Sequence, residues 1–157
     1  MERQKASVFL NTLSQIAVVV DNVRFTAESL SNLLGIGPWK FEDWPPENRK
    51  NWQSSYNGKP HKWKTKLAFA NFNNIEIELI ENVEGESAYS QFLREKGKGI
   101  HHLLFEVEEL DAVVSELKSK GVKEKMGATG RKPGTRWVLM NTIDLPVSYT
   151  HLRAHET

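Results

Sequence analysis

The chain has 157 residues, 39% of them hydrophobic, no cysteine and a formal net charge of +1. That length fits one domain, or two small modules sharing a core. Interspersed charges argue against a nucleic-acid footprint or a polybasic membrane patch, the absence of thiols excludes disulfides and thiolate metal sites, and no apolar run approaches the roughly 20 residues that span a bilayer.

The opening MERQKASVFLNTLSQ has no apolar stretch of signal-peptide length and reads as a mature cytoplasmic N-terminus. Residues 14–21, SQIAVVVD, predict a first strand with Ile16, Val18 and Val20 on its apolar face and Gln15 on the other. In RFTAESLSNLLGIG, Phe25, Leu30, Leu33 and Leu34 recur at helical spacing, and Gly35 and Gly37 close the segment. Residues 38–44 read as extended. Residues 45–60 carry Pro45, Pro46, Asn57 and Gly58 and read as a long exposed loop, a kind of segment that is often functional. Residues 63–72 and 75–81 predict two strands joined by a turn at Asn73-Asn74. A short helix is expected in SAYSQFLREKG.

Residues 99–107, GIHHLLFEV, predict the next strand. Alternation puts His101, Leu103, Phe105 and Val107 on an apolar face and His102, Leu104 and Glu106 on the other. His101 is therefore expected in a core, with His102 looking out from the opposite side. ELDAVVSELKSKG is the clearest helix, with a stripe of Leu110, Val113, Val114 and Leu117 and Gly121 as its cap. A strand over 122–127, a Gly- and Lys-rich loop over 128–134 and a strand over 136–141 follow.

The two halves echo each other. Placing Gln15 on His102 puts Val20 on Val107, Asp21 on Glu108 and Val23 on Leu110, and a one-residue gap puts Gly35 on Gly121. In IEIELIE, Glu76, Glu78 and Ile80 share the face opposite Ile75, Ile77 and Leu79. Gln15, Glu78 and His102 thus point to the polar side of a duplicated sheet. Glu76 replaces Glu78 under a register slip. An amide oxygen, a carboxylate and an imidazole suit a divalent ion such as Zn, Ni, Co, Mn or Fe. Three protein ligands with open positions describe a catalytic rather than a structural site. Trp39, Trp44, Trp52 and Trp63 flank the long loop and either line an apolar substrate pocket or cover an open sheet. Arg131, Lys132 and Arg136 could hold a carboxylate, phosphate or CoA-type group, or form a solvated loop.

SQIAVVVDNV, LLGIGPW, NIEIELIE, GIHHLLFEVEELDAVVSELKSKGV and GTRWVLMNTIDL together resemble the vicinal-oxygen-chelate superfamily of glyoxalases, epimerases, extradiol dioxygenases and bleomycin-resistance proteins. The resemblance covers residues 12–145, and GIHHLLFEVEELD looks most like the epimerase and glyoxalase-like branch. It implies an α+β fold of paired βαβββ modules, 12–82 and 99–146, within a domain over 1–146, forming an incomplete barrel around one divalent metal ion. Gln15, Glu78 and His102 match three ligand positions, and Glu78 is the candidate catalytic residue. Trp39, Trp63 and Arg136 are the candidate substrate contacts. The implied function is a lyase or isomerase that stabilises an enediolate or enolate of a small carbonyl substrate, with thioesters and thiol adducts among the candidates. A homodimer is implied as well. The alternative is a non-catalytic, drug-sequestering protein on the same fold.

The fourth ligand position of the family is a glutamate on the last strand, the counterpart of Glu78, and this chain departs from the pattern there. After NTIDL it reads PVSYTHLRAHET. An ungapped match puts Ser148 opposite Glu78, a longer loop puts His151 there, and Glu156 lies too near the end. Residues 147–157 look foreign to the family and resemble translated adapter read-through after a truncated gene. Val147, Tyr149 and Thr150 still favour a strand. Impaired or altered turnover is expected of such a chain.

Overall fold

The computed structural model describes residues 10–145 and 148–155. In chain order they form β1 (Leu13–Val19), α1 (Val23–Leu34), β2 (Lys40–Trp44), β3 (Ser54–Tyr56), β4 (Lys59–Pro60), β5 (Lys64–Phe72), β6 (Ile75–Glu84), α2 (Ala88–Lys96), β7 (Gly99–Glu106), α3 (Leu110–Ser119), β8 (Glu124–Thr129), β9 (Thr135–Asn141) and β10 (Tyr149–His155). The strands make one mixed, curled sheet in the order β2-β5-β6-β1-β7-β10-β9-β8-β3-β4.

The duplication expected from the sequence is visible in the pairing. β1 is parallel to β6, which is antiparallel to β5, which is antiparallel to β2. β7 is parallel to β10, which is antiparallel to β9, which is antiparallel to β8. Each half is thus a βαβββ unit, and the antiparallel β1–β7 pair joins them. α1 packs on the convex side with Val20, Ala68 and Leu79. α3 packs with Val138, Met140, Leu152 and Ala154. The concave side holds Ala17, Val19, Trp44, Trp63, Phe69, Ile80, Trp137 and Leu139. The side of the strands expected to be polar is therefore largely apolar and buried, with a few polar groups inside it.

Three local readings change. α1 is capped as expected, Asn22 accepting from the Phe25 amide at 2.9 Å and Gly35 adopting φ 68°. Its buried stripe is Val23 and Ala27, while Phe25, Leu33 and Leu34 are exposed, Leu33 by 80%. The small Ala27 lets the helix lie close to the sheet, so the larger residues fall outside the contact.

The loop over 45–60 is not wholly irregular. Asn57 and Gly58 both take positive φ, 52° and 79°, as a tight hairpin turn requires. The resulting β3–β4 hairpin adds to β8. Arg49 secures the strap by donating to the carbonyl oxygens of Gly130 and Arg131. A segment of the first half therefore crosses to the outer edge of the second.

Finally, residues 149–155 complete the second unit as β10, a central strand between β7 and β9. Leu152 there is fully buried against the α3 core. Leu152→Ala should cost about 2–5 kcal/mol in denaturant unfolding, the usual range for a buried leucine. A change below about 0.5 kcal/mol would place this segment outside the sheet.

Candidate functional site

The β1–β7 seam places the ligand-type residues. Gln15 lies opposite Leu104, and Ala17 opposite His102. Exchanging the two halves turns one pair into the other, as a two-fold repeat requires. One irregularity breaks the simple pleat. Ala17 pairs with His102 but Val18 pairs with Ile100, so His101 is an extra, bulged residue. A bulge redirects the side chain it carries. The expectation that the pleat separates the two histidines is therefore corrected. Both rings are fully buried, and their Nδ1 atoms stand 2.9 Å apart.

Parallel pairing sets the other two positions. Ala17 lies opposite Glu78 on β6, and Leu104 opposite His151 on β10. His151, rather than Ser148, is thus the structural counterpart of Glu78. Ser148 precedes β10, and its carbonyl oxygen accepts from Thr142 Oγ1.

Gln15, Glu78 and His151 line a small cavity of about 50 Å3 with Trp63, Trp137 and Arg131. Gln15 donates from Nε2 to Glu76 Oε1 at 2.8 Å, which leaves its Oε1 buried without a partner. His151 Nδ1 stands 3.1 Å from His102 Nε2, and His151 Nε2 is also buried without a partner. Glu78 is pushed up to about 8, chiefly because burial penalises its charge, with the Arg131 guanidinium opposing. Two orphaned acceptors and a carboxyl thus face one small space. Trp63 Nε1, a donor on the same lining, is likewise buried without a partner. Buried polar groups left unpaired cost about 1–3 kcal/mol each, so the site is suited to receive a small polar ligand or an ion.

The remaining candidates divide. Trp63 lines the cavity. His102 stands behind His151, which covers its Nε2. Trp39 lies outside, donating from Nε1 to the Ile36 carbonyl at 2.9 Å near the end of α1. Arg136 also lies outside, bonded to Asp111 of α3. Among the described residues, no three His, Cys, Asp or Glu side chains stand at metal-ligand spacing.

Several residues around the site had weaker sequence signals. Trp44 stacks on Trp63 with ring centroids 5.1 Å apart, and Trp52 meets Trp44 edge-on at 4.9 Å. Trp44, Trp63 and Trp137, the last 6.2 Å from Trp63, roof the cavity, with Trp52 packed against Trp44. Arg131 reaches from the β8–β9 turn across the two halves. It donates to both oxygens of Glu42 at 3.0 and 2.9 Å and lies 3.9 Å over the Phe69 ring. Its place in a basic cluster was evident in the sequence, but not its direction. Beside the roof lies a wide basin of about 1130 Å3 that shares Trp137 and includes Trp52, His61, Lys62 and Arg136.

The buried histidines and Glu78 bend the pH dependence of stability in opposite directions. Burial holds His101 at about 3 and His102 and His151 well below their ordinary 6.5. As pH falls from 6.5, the unfolded chain binds protons that the folded chain refuses, and stability drops. Glu78 sits near 8 against an ordinary 4.5, so between those values the folded chain keeps a proton that the unfolded chain has lost, and stability drops as pH rises. Below 6.5 the three histidines outweigh the one carboxyl, and above it Glu78 dominates. Metal-free protein should therefore be most stable near pH 6.5 in urea unfolding. The slopes should reach about 1.4 kcal/mol per pH unit for each proton. Glu78→Gln should flatten only the alkaline side, and a steady rise in stability from pH 6.5 to 8 would contradict this.

Comparison with known proteins agrees with this architecture. A profile of the Glyoxalase/Bleomycin resistance protein/Dioxygenase superfamily matches residues 14–137. The mitochondrial methylmalonyl-CoA epimerase of Homo sapiens is 25% identical over 128 residues, which are 78% of this chain and 64% of that protein. The chain thus spans a little under two thirds of that relative's length. The Streptomyces coelicolor methylmalonyl-CoA epimerase in complex with 2-nitronate-propionyl-CoA has a TM-score of 0.65 at 20% identity, covering 94% of this chain and 96% of that one. The Mycobacterium tuberculosis methylmalonyl-CoA epimerase has a TM-score of 0.66 at 19% identity, covering 99% and 95%. At these identities the structures establish a shared fold. With the profile covering most of its length, this chain belongs to the glyoxalase/bleomycin resistance protein/dioxygenase superfamily.

Proposed function

We propose that the chain is a metal-dependent isomerase or lyase that labilises a proton next to a carbonyl, with methylmalonyl-CoA as the first substrate to test. The observation that carries this reading is the pair of orphaned buried acceptors, Gln15 Oε1 and His151 Nε2, facing one cavity with Glu78. That donor set fits a divalent cation of the borderline type. Gln15, Glu78 and His102 would hold it, with His151, in the last-strand position, moving off the His102 Nε2 that it now covers. When bound, the cation would supply Lewis-acid stabilisation of charge developing on the substrate's carbonyl oxygen.

The chain's own residues supply the rest. Glu78, kept near neutral-pH titration by burial, suits proton exchange with a carbon acid. The aromatic lining lowers the local dielectric, which strengthens charge interactions beside it. A space of about 50 Å3 holds an ion or a water molecule but not a thioester, since ligand pockets usually exceed about 300 Å3. The space would have to widen to admit substrate, and the adjoining basin offers room for the body of a larger thioester.

A metal-free sequestration protein is the second reading. It is favoured by the lack, among the described residues, of three His, Cys, Asp or Glu side chains at ligand spacing. Calorimetric titration of chelator-treated protein with Co2+, Ni2+, Mn2+ and Zn2+, followed by incubation with methylmalonyl-CoA in D2O, separates the two. One ion should bind per chain, and Gln15→Ala or Glu78→Ala should weaken it at least about tenfold. His151→Glu should raise both metal affinity and deuterium incorporation at the α-carbon. If neither the parent chain nor His151→Glu binds any of the four ions, the metal-dependent reading fails.

A further inference from the structure

We infer that His101 is a positioning residue that sets the tautomer of His102, so that His102 carries its proton on Nδ1 and its lone pair on Nε2. The inference deepens the proposed metal site and rests on His102 belonging to it. It follows from hydrogen-bond logic along a buried file. His101 Nε2 stands 3.3 Å from the carbonyl oxygen of Ala88, in the first turn of α2. A carbonyl only accepts, so that nitrogen carries the proton. None of the ring nitrogens of His101, His102 or His151 meets a carboxylate. A neutral imidazole has one N–H, so His101 Nδ1 is an acceptor. Its partner at 2.9 Å is His102 Nδ1, which must therefore donate. His102 Nε2 is then an acceptor and receives the Nδ1–H of His151 at 3.1 Å.

The same logic ends on His151 Nε2 as a bare lone pair, and that atom is the one found buried without a partner. The opposite assignment would set a lone pair against the Ala88 carbonyl oxygen and leave an N–H stranded at the far end of the file. His101 is held for this task. Its ring stacks on Tyr149 at 4.6 Å and meets Tyr89 and Phe92, each at 5.0 Å. The bulge in β7 brings it to the same side as His102. A histidine ligand whose far nitrogen is anchored binds metal more tightly, typically by 10–100-fold. Here the anchor is a second histidine tied to a helix carbonyl.

The test is nitrogen-15 NMR of histidine-labelled, metal-free protein, which reports each tautomer directly, together with Co2+ titration. The parent protein should show His101 as the Nε2–H form and His102 as the Nδ1–H form. His101→Phe keeps the ring stacking but removes the acceptor. It should move His102 toward the Nε2–H form and weaken Co2+ binding about 10–100-fold. His101→Asn places an amide oxygen near the Nδ1 position and should restore both. The parent spectrum decides the matter even where a variant fails to fold. His102 found as the Nε2–H form in the parent would overturn the inference. So would His101→Phe leaving tautomer and Co2+ affinity unchanged. The expected tautomers without any Co2+ binding would support the relay while removing the metal reading on which its purpose rests.

Discussion

The antiparallel pairing of β1 with β7 is the constraint on which the site depends. It joins the first strand of one half to the first strand of the other, near the middle of the sheet. Each of these strands also pairs in parallel with the last strand of its own half. Four strands therefore meet along one seam, and their inward side chains are forced together. Gln15 and His102 come from the middle pair, Glu78 and His151 from the outer two. Without the duplication these groups would lie scattered along the chain, and with it they fall on one axis inside a curled sheet.

Burial then makes the cluster chemically distinctive. A carboxyl, an amide oxygen and three imidazoles share an interior that is otherwise aromatic and aliphatic. The carboxyl keeps its proton to unusually high pH, and the imidazoles refuse theirs to unusually low pH. The carboxyl and imidazoles are thus uncharged in the empty site and rich in lone pairs, with the Arg131 and Arg153 guanidiniums on the same lining. Trp44, Trp63 and Trp137 line it, and the strap whose Trp52 packs against Trp44 is fastened to the other half by Arg49 and the β3–β8 pairing. The aromatic cover thus leans on a segment distinct from the strands that hold the polar groups.

Much of this was legible in the sequence, and the failures have physical causes. The two βαβββ units and the inward direction of Gln15 and Glu78 followed from period-two and helical patterns, which are local. The bulge at His101 was not legible, because it arises from pairing with Val18 and leaves no mark in the alternation of residue types. The β3–β4 hairpin was hidden in a polar loop, since three residues that gain their partner from β8 carry too little hydrophobic signal of their own. The stripe on α1 was read too far along the helix, because Ala27 contributes through closeness rather than bulk. Candidates chosen for chemistry alone fared least evenly. Trp63 points into the cavity, while Trp39 and Arg136 are claimed by local partners at the Ile36 carbonyl and Asp111. The choice between Ser148 and His151 needed the register of β10, which depends on the length of the turn before it.

The central claim is that the seam between the halves forms a cation site. Anomalous diffraction from crystals grown with Co2+ or Mn2+ tests it most directly. The account predicts one strong peak in the cavity beneath Trp63, at coordination distance from Gln15 Oε1 and the Glu78 carboxylate and next to the His102–His151 pair. Peaks confined to the surface, with the cavity empty at saturating metal, would contradict it.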